Sequence, residues 1–278
     1  MATNMKMMAA AVLAVLLCGT AQAGPEEDRQ AFSRYFTERF PNVPPDDFVN
    51  GVYAIDPALR EQWETIEEFP PYELALEQGE ELFQTPFANG KTYADCFDNG
   101  GIGVRQNYPY FDTGRGEVIT LELAINECRE ANGEKPLRYK KGAIAALSAY
   151  MAYTSRDQPL NITIPDDPRA LAAYEDGKRF YYTRRGQLNF ACSSCHLGAS
   201  GMMVRADELS PALGHPTHFP VYRSKWGELG TLHRRFAGCN EQVRAKPFPA
   251  QSAEYRNLEY FLSYMSNGLP VNGPGSRR

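Results

Sequence analysis

The sequence predicts a mainly α-helical chain made of two tandem, related units, and three observations carry that prediction. Apolar residues recur at helical spacing ahead of Cys96 and again ahead of Cys192. A set of features then returns in the same order in both halves. A stretch rich in proline and aspartate, Pro159 to Pro168, separates the halves. Composition agrees: 278 residues that are 43% hydrophobic and 12% aromatic exclude a disordered or collagen-like chain. A net charge of −5 argues against nucleic-acid binding.

The first 23 residues read as an export signal. Lys6 precedes an uncharged run from Met7 to Leu17, and Gly19-Thr20 leads to the small-residue site Ala21-Gln22-Ala23, so cleavage is expected after Ala23. The run is shorter than the roughly 20 apolar residues a bilayer span requires, and no later stretch is apolar enough. No membrane span is expected, and the mature chain should be exported to the periplasm. The acidic, proline-rich segment Gly24 to Pro71 is too long for a simple linker and is expected to wrap either the first unit or a partner chain.

In the first unit Leu76, Gly79 and Phe83 form a helical stripe ahead of Cys96. Gly100-Gly101-Ile102-Gly103 follows no strand and reads as a turn, not a dinucleotide loop. In the second unit Asp167 can cap a helix that Pro168 opens, with Leu171, Tyr174 and Tyr181 as its apolar stripe. Gly177 lies where a helix crossing closely overhead needs no side chain. Cys128 lies eight residues before Pro136 with Lys135 between, and Cys239 lies eight before Pro247 with Lys246 between. Leu258, Phe261, Leu262 and Met265 make an amphipathic last helix, and Phe261 to Met265 echoes Leu147 to Met151.

Five cysteines remain after the signal, an odd number in a compartment where thiols oxidise. Cys192-Ser-Ser-Cys195-His196 has the spacing of c-type haem attachment: two thiols for the vinyl groups and an adjacent imidazole for the iron. Zinc would want two further ligands at similar spacing, and no second pair of that kind exists. All four histidines, His196, His215, His218 and His233, lie in the second half, so the expectation is one covalently bound haem c there and none in the first half. Cys96 and Cys128, left without a metal role, are expected to form a structural disulfide.

The predicted plan is therefore two tandem cytochrome-c-like domains, the first degenerate and without haem. The divisions are 1–23 for the signal, 24–163 for an N-terminal extension plus the haemless domain, and 164–278 for the haem-binding domain. Candidates for the second axial ligand are Met202, Met203, His215, His218, His233, Cys239 and Met265, of which Met265 is better read as core. Cys239 follows Arg234 and Arg235 and precedes Arg244 and Lys246, cations that favour a thiolate and so make the sulfur both a better ligand and a better nucleophile. Arg235 lies one turn from the thiol if the segment is helical, though spacing alone lets Arg234 exchange roles with it.

These residues together resemble the SoxA family, cytochrome subunits of the sulfur-oxidising SoxAX complexes. The resemblance is carried by Cys192-Ser-Ser-Cys-His196, by His233-Arg-Arg-Phe-x-x-Cys239-Asn with Arg244-Ala-x-Pro247, and by Leu258-Glu-x-Phe261-Leu-Ser-x-Met265-Ser-Asn-Gly268. Lacking a first attachment motif, the chain looks like the single-haem branch. The resemblance implies an L-cysteine S-thiosulfotransferase that, with its partner cytochrome SoxX, joins thiosulfate oxidatively to a cysteine of the carrier SoxYZ, electrons leaving through haem. It implies His196 and Cys239 as axial ligands, Cys239 as the catalytic cysteine, and Arg235 as the substrate-binding arginine. Two rivals from other classes are a periplasmic electron-transfer cytochrome and a thiosulfate dehydrogenase that forms tetrathionate.

Overall fold

In the computed structural model, which describes residues 24–278, helices form where the apolar periodicity places them. The export signal lies outside the described residues. Helix α1 (Pro25–Arg39) opens on proline and sets Glu26, Glu27 and Asp28 against its amide end, where carboxylates oppose the helix dipole. Helix α2 (Pro57–Glu67) is capped by Asp56, whose carboxylate accepts from the Leu59 N–H at 2.9 Å. The first unit follows as helix α3 (Glu73–Gln84), the antiparallel hairpin β1 (Tyr110–Asp112) and β2 (Glu117–Ile119), helix α4 (Leu121–Ala131) and helix α5 (Ala143–Tyr153).

The second unit repeats this order. Helix α6 (Pro168–Tyr182) is capped by Asp167, which accepts from the Arg169 N–H at 2.8 Å. A two-residue hairpin, β3 (Met203–Val204) and β4 (Asp207–Glu208), is inserted before the hairpin β5 (Val221–Arg223) and β6 (Glu228–Gly230). Helices α7 (Leu232–Gln242) and α8 (Ala253–Met265) complete the repeat, and the last strand, β7 (Gly275–Arg277), runs parallel to β5. Among the described residues no helix is long and apolar enough to cross a membrane.

Each unit is held by one close helix crossing. A Cβ on Gly79 of α3 would stand 2.1 Å from the Ala146 carbonyl oxygen of α5, and one on Gly177 of α6 would stand 2.0 Å from that of Asn257 on α8. Only glycine allows backbones so near. These crossings match Ala146 with Asn257, the spacing that also relates Cys128 to Cys239. The echo of Leu147–Met151 in Phe261–Met265 is thus three residues out of register, close enough to one turn to fall on the same face. Tyr174 and Tyr181 are buried as expected, whereas Leu171 is 44% exposed on the solvent side of α6.

Equivalent residues exchange contacts between the units. Thr120, at the start of α4, donates to the Gln251 side chain at 2.8 Å, and the N–H of Thr231, at the start of α7, donates to the Lys140 carbonyl at 3.0 Å. Thr120 corresponds to Thr231 and Lys140 to Gln251, so the units meet about an approximate two-fold relation. At its centre lie four buried groups: Ser148 donates to Glu122 at 2.8 Å, and His233 Nε2 stands 3.1 Å from Glu259. The Gln251 N–H donates to His233 Nδ1 at 3.0 Å, which leaves the proton on Nε2 to face the carboxylate.

The Gly24–Pro71 segment, expected to wrap either the first unit or a partner chain, packs its apolar residues mainly into the core of the second unit. Phe32, Phe36, Phe48 and Val49 share one core with Tyr174, Tyr181 and Phe261. The Tyr35 hydroxyl donates to the Leu197 carbonyl at 3.0 Å, and Arg39 donates to that of Ser200 at 2.8 Å. Glu208 and Asp56 share a carboxyl–carboxylate hydrogen bond that ties this segment to β4. Burial, then that bond and the Asp56 charge, push Glu208 up to about 7 from the ordinary 4.5. Because the folded value is the higher one, the contact is fully present below the ordinary value and is lost as pH rises through the folded one. Amide exchange at Met203–Glu208, corrected for intrinsic rate, is therefore expected to quicken between about pH 6 and 8, and Glu208→Gln should flatten that dependence.

Cys96 and Cys128 form the expected disulfide, with Cα atoms 5.8 Å apart, beside the core of Phe83, Phe87, Tyr93, Leu121 and Ile125. It closes a separation of 32 residues. Replacing both cysteines by serine is expected to lower unfolding free energy by about 3 kcal/mol, read from the denaturant midpoint.

Candidate functional site

Helix α7 brings Arg235 and Cys239 one turn apart on one face. That face closes an apolar cleft against the Cys192–His196 segment, which follows α6 and ends in a single wide turn, Ser194–Gly198. Phe180, Phe190, Leu209, Phe236 and Leu258 line the cleft, and Cys192, Cys195, His196, Arg235 and Cys239 all reach it. Arg185 stacks its guanidinium over the Phe180 ring at 3.4 Å and forms part of the wall.

His196 is fixed from behind. Its Nδ1 lies 3.0 Å from the Ser210 carbonyl oxygen, an acceptor only, so Nδ1 carries the proton and Nε2 is left with a free lone pair. The three thiols of the cleft differ sharply. Burial, then the Cys239 charge, push Cys192 up to about 12, and the same causes raise Cys195. For Cys239 burial also disfavours the thiolate, but Arg235 first, with His196 and Arg223 after it, outweighs it and brings the thiol down to about 7. Cys239 is the thiol the protein prepares to ionise.

The remaining candidates lie elsewhere. Met202 and Met203 are 57% and 62% exposed around the β3–β4 hairpin, and Met265 is buried in the main core. His215 packs edge-on to His196, ring centroids 4.7 Å apart, but its Nε2 hydrogen-bonds Ser210 Oγ at 2.7 Å. His218 is bound to the Val49 carbonyl at 3.0 Å, and burial holds both imidazoles well below their ordinary pKa. His233 faces Glu259, away from the cleft. Arg234 pairs with Glu228 at 3.2 Å and stacks on Trp226, whereas Arg235 has no acidic partner within ion-pair distance among the described residues.

A c-type haem fits these residues: two thiols and an imidazole at attachment spacing on one wall, a third sulfur on the other, and aromatic and aliphatic side chains between. Among the described residues no three His, Cys, Asp or Glu side chains gather as a compact metal cage would need. Sequence reasoning missed the Ser210 acceptor, a backbone atom that leaves no trace in residue types. It also missed Arg223, whose charge adds to that of Arg235 in favouring the Cys239 thiolate.

A family model for the SoxA/TsdA cytochrome c domain matches residues 78–160 and 176–271, once in each half. The chain belongs to the SoxA/TsdA cytochrome c family. Within it, the chain is 65% identical over 257 residues to the L-cysteine S-thiosulfotransferase subunit SoxA of Allochromatium vinosum, covering 92% of this chain and 91% of that protein. It is 59% identical over 257 residues to the subunit of the same name from Chlorobaculum thiosulfatiphilum, covering 92% and 89%. A crystal structure of SoxXA from P. pantotrophus superposes with a TM-score of 0.71 at 29% identity, over 78% of this chain and 84% of that one. The SoxA/TsdA domain is a cytochrome c domain, so covalent haem c belongs to the protein.

Proposed function

We infer that this chain is the SoxA subunit of an L-cysteine S-thiosulfotransferase, acting in the periplasm with a SoxX cytochrome and a SoxYZ carrier and holding one haem c. The reading rests on 65% identity to a SoxA subunit over 92% of the chain, together with Arg235, His196 and Cys239 meeting on one cleft. Residues 24–163 then form the extension and a haemless domain, and 164–278 the domain that binds haem. Cys192 and Cys195 would hold the group by thioether bonds, with His196 and Cys239 on the iron. When bound, it supplies the acceptor for electrons released during the conjugation.

The chain's own residues do the rest. Arg235 binds the sulfonate oxygens of thiosulfate and presents the outer sulfur to Cys239, one helical turn away. A bond forms between that sulfur and the Cys239 thiolate as two electrons are withdrawn: three negative charges become one on the thiosulfonate and two on the electrons. The carrier thiolate then attacks the sulfur bonded to Cys239, takes the sulfane–sulfonate group, and releases Cys239 as thiolate. The depressed pKa that favours ionisation also makes Cys239 the better leaving group. The Ser210 carbonyl keeps the His196 ring aligned throughout.

The test is the mass of the tryptic peptide Phe236–Arg244 from protein exposed to thiosulfate with its partner cytochrome and analysed without reductant. A reductant-labile sulfur adduct on Cys239 is expected. An unmodified thiol across repeated turnovers would leave a plain electron carrier.

A further inference from the structure

The carbonyl that orients His196 belongs to a residue with no regular structure of its own. Ser210 lies in irregular chain between the exposed β3–β4 hairpin and Pro211, so neither helix nor strand fixes the direction of its carbonyl. Two backbone contacts bring this stretch to the attachment motif: the Ala212 N–H donates to the His196 carbonyl at 3.0 Å, and the Ser210 carbonyl accepts from His196 Nδ1 at 3.0 Å. A third contact comes from the serine side chain, whose Oγ hydrogen-bonds His215 Nε2 at 2.7 Å. One serine therefore holds two imidazoles, and the two rings meet edge-on with 80° between their planes and centroids 4.7 Å apart.

His215 is the rigid end of this tie. It opens the short turn His215–His218 after Gly214, which has φ 82° and stands so close to the N-terminal segment that a Cβ on it would be 2.6 Å from the Phe48 carbonyl oxygen. The Gly214 N–H donates to Ser266 Oγ at 3.1 Å, Thr217 Oγ1 donates to the Gly214 carbonyl at 2.8 Å, and His218 is held by the Val49 carbonyl. The turn is thus fixed both to the end of α8 and to the N-terminal segment. If filling space were its whole task, an apolar ring at 215 would serve among buried neighbours such as Leu213 and Pro216, without a polar atom to satisfy. We propose that His215 and Ser210 are positioning residues for the haem ligand: their side-chain hydrogen bond aims the Ser210 carbonyl at His196 Nδ1, and so fixes the plane of the His196 ring and sets the reduction potential of the electron acceptor. A bond accepted from Nδ1–H makes the imidazole a more basic ligand and favours the ferric state. Slackening the carbonyl weakens that bond and raises the potential. The proposal rests on the reading of His196 as an iron ligand.

The experiment uses the haem-loaded protein with its partner cytochrome and reads the reduction potential together with the g values of the ferric haem, which follow the orientation of its axial ligands. Ser210→Ala keeps the carbonyl and loses the tie; it is expected to move the g values and to shift the one-electron equilibrium toward the ferrous form by roughly 10-fold, about 59 mV. His215→Phe keeps the packing ring and loses the nitrogen, and should shift both readouts in the same direction. The double variant should do no more than either single one, because both remove one interaction. Ser210→Thr, which restores a hydroxyl, should stay within about threefold of the wild type. Wild-type potential and g values in haem-loaded Ser210→Ala overturn the proposal, and so do shifts that add in the double variant. If His215→Phe does not load haem, Ser210→Ala decides alone on the same terms. His196→Met checks the underlying reading: a ferric spectrum identical to the wild type would take His196 off the iron and the proposal with it. A changed spectrum there with an unchanged one in Ser210→Ala would leave the ligand in place and reject only the tie.

Discussion

Cys239→Met should yield a folded, haem-bearing protein that no longer transfers thiosulfate. Methionine sulfur remains a competent haem ligand, so the Soret band should persist. What disappears is a sulfur that can ionise, form a disulfide-type bond and leave again, since a thioether does none of these. Loss of the covalent step is expected to cost at least about 10³-fold in transfer to the carrier thiol, measured with the partner cytochrome present. Turnover near the wild-type rate would show that Cys239 is only a ligand. A Cys239→Met protein with no Soret band would instead be reporting haem loss, so the spectrum is read before the rate.

Gly177→Ala is expected to be among the most damaging single methyl additions in the chain. Its Cβ would meet the Asn257 carbonyl oxygen at 2.0 Å and the Phe261 Cβ at 2.9 Å, and backbone cannot swing aside as a flexible side chain can. The α6–α8 crossing must spread, disturbing the core that carries Tyr174, Tyr181, Leu258 and Phe261. A loss of about 3 kcal/mol or more is expected, read as a lowered thermal midpoint of the haem-loaded protein. Gly79→Ala, facing the Ala146 carbonyl at 2.1 Å, should injure the first unit by a similar amount. Wild-type stability in both would show that the crossings relax without cost.

What could be read from sequence was what depends on short spacing. The attachment motif is five residues long, and the Asp167–Pro168 helix start and the one-turn step from Arg235 to Cys239 are equally local. The disulfide was legible through elimination, because two exported thiols had no other role. The placement of Gly24–Pro71 was not, since Phe32 and Phe36 declare an apolar helix face without naming what covers it. Leu171 was misread for a similar reason: the stripe through Tyr174 and Tyr181 is buried, but its first turn runs past the edge of the core. The choice between Arg234 and Arg235 turned on Glu228 and Trp226, which reach α7 only through the β5–β6 hairpin.

The exchanged contacts of Thr120 with Gln251 and Thr231 with Lys140 make the chain, in effect, a dimer whose protomers are covalently tethered. Each unit supplies the other with the partner for its helix entry, and both contribute to the buried polar knot of Glu122, Ser148, His233 and Glu259. The tether makes the association intramolecular, so it cannot be diluted apart. The cooperative unit of folding is then larger than the unit that carries the chemistry. Loss of function at the second site can begin with a substitution in the first unit, far from any reacting atom.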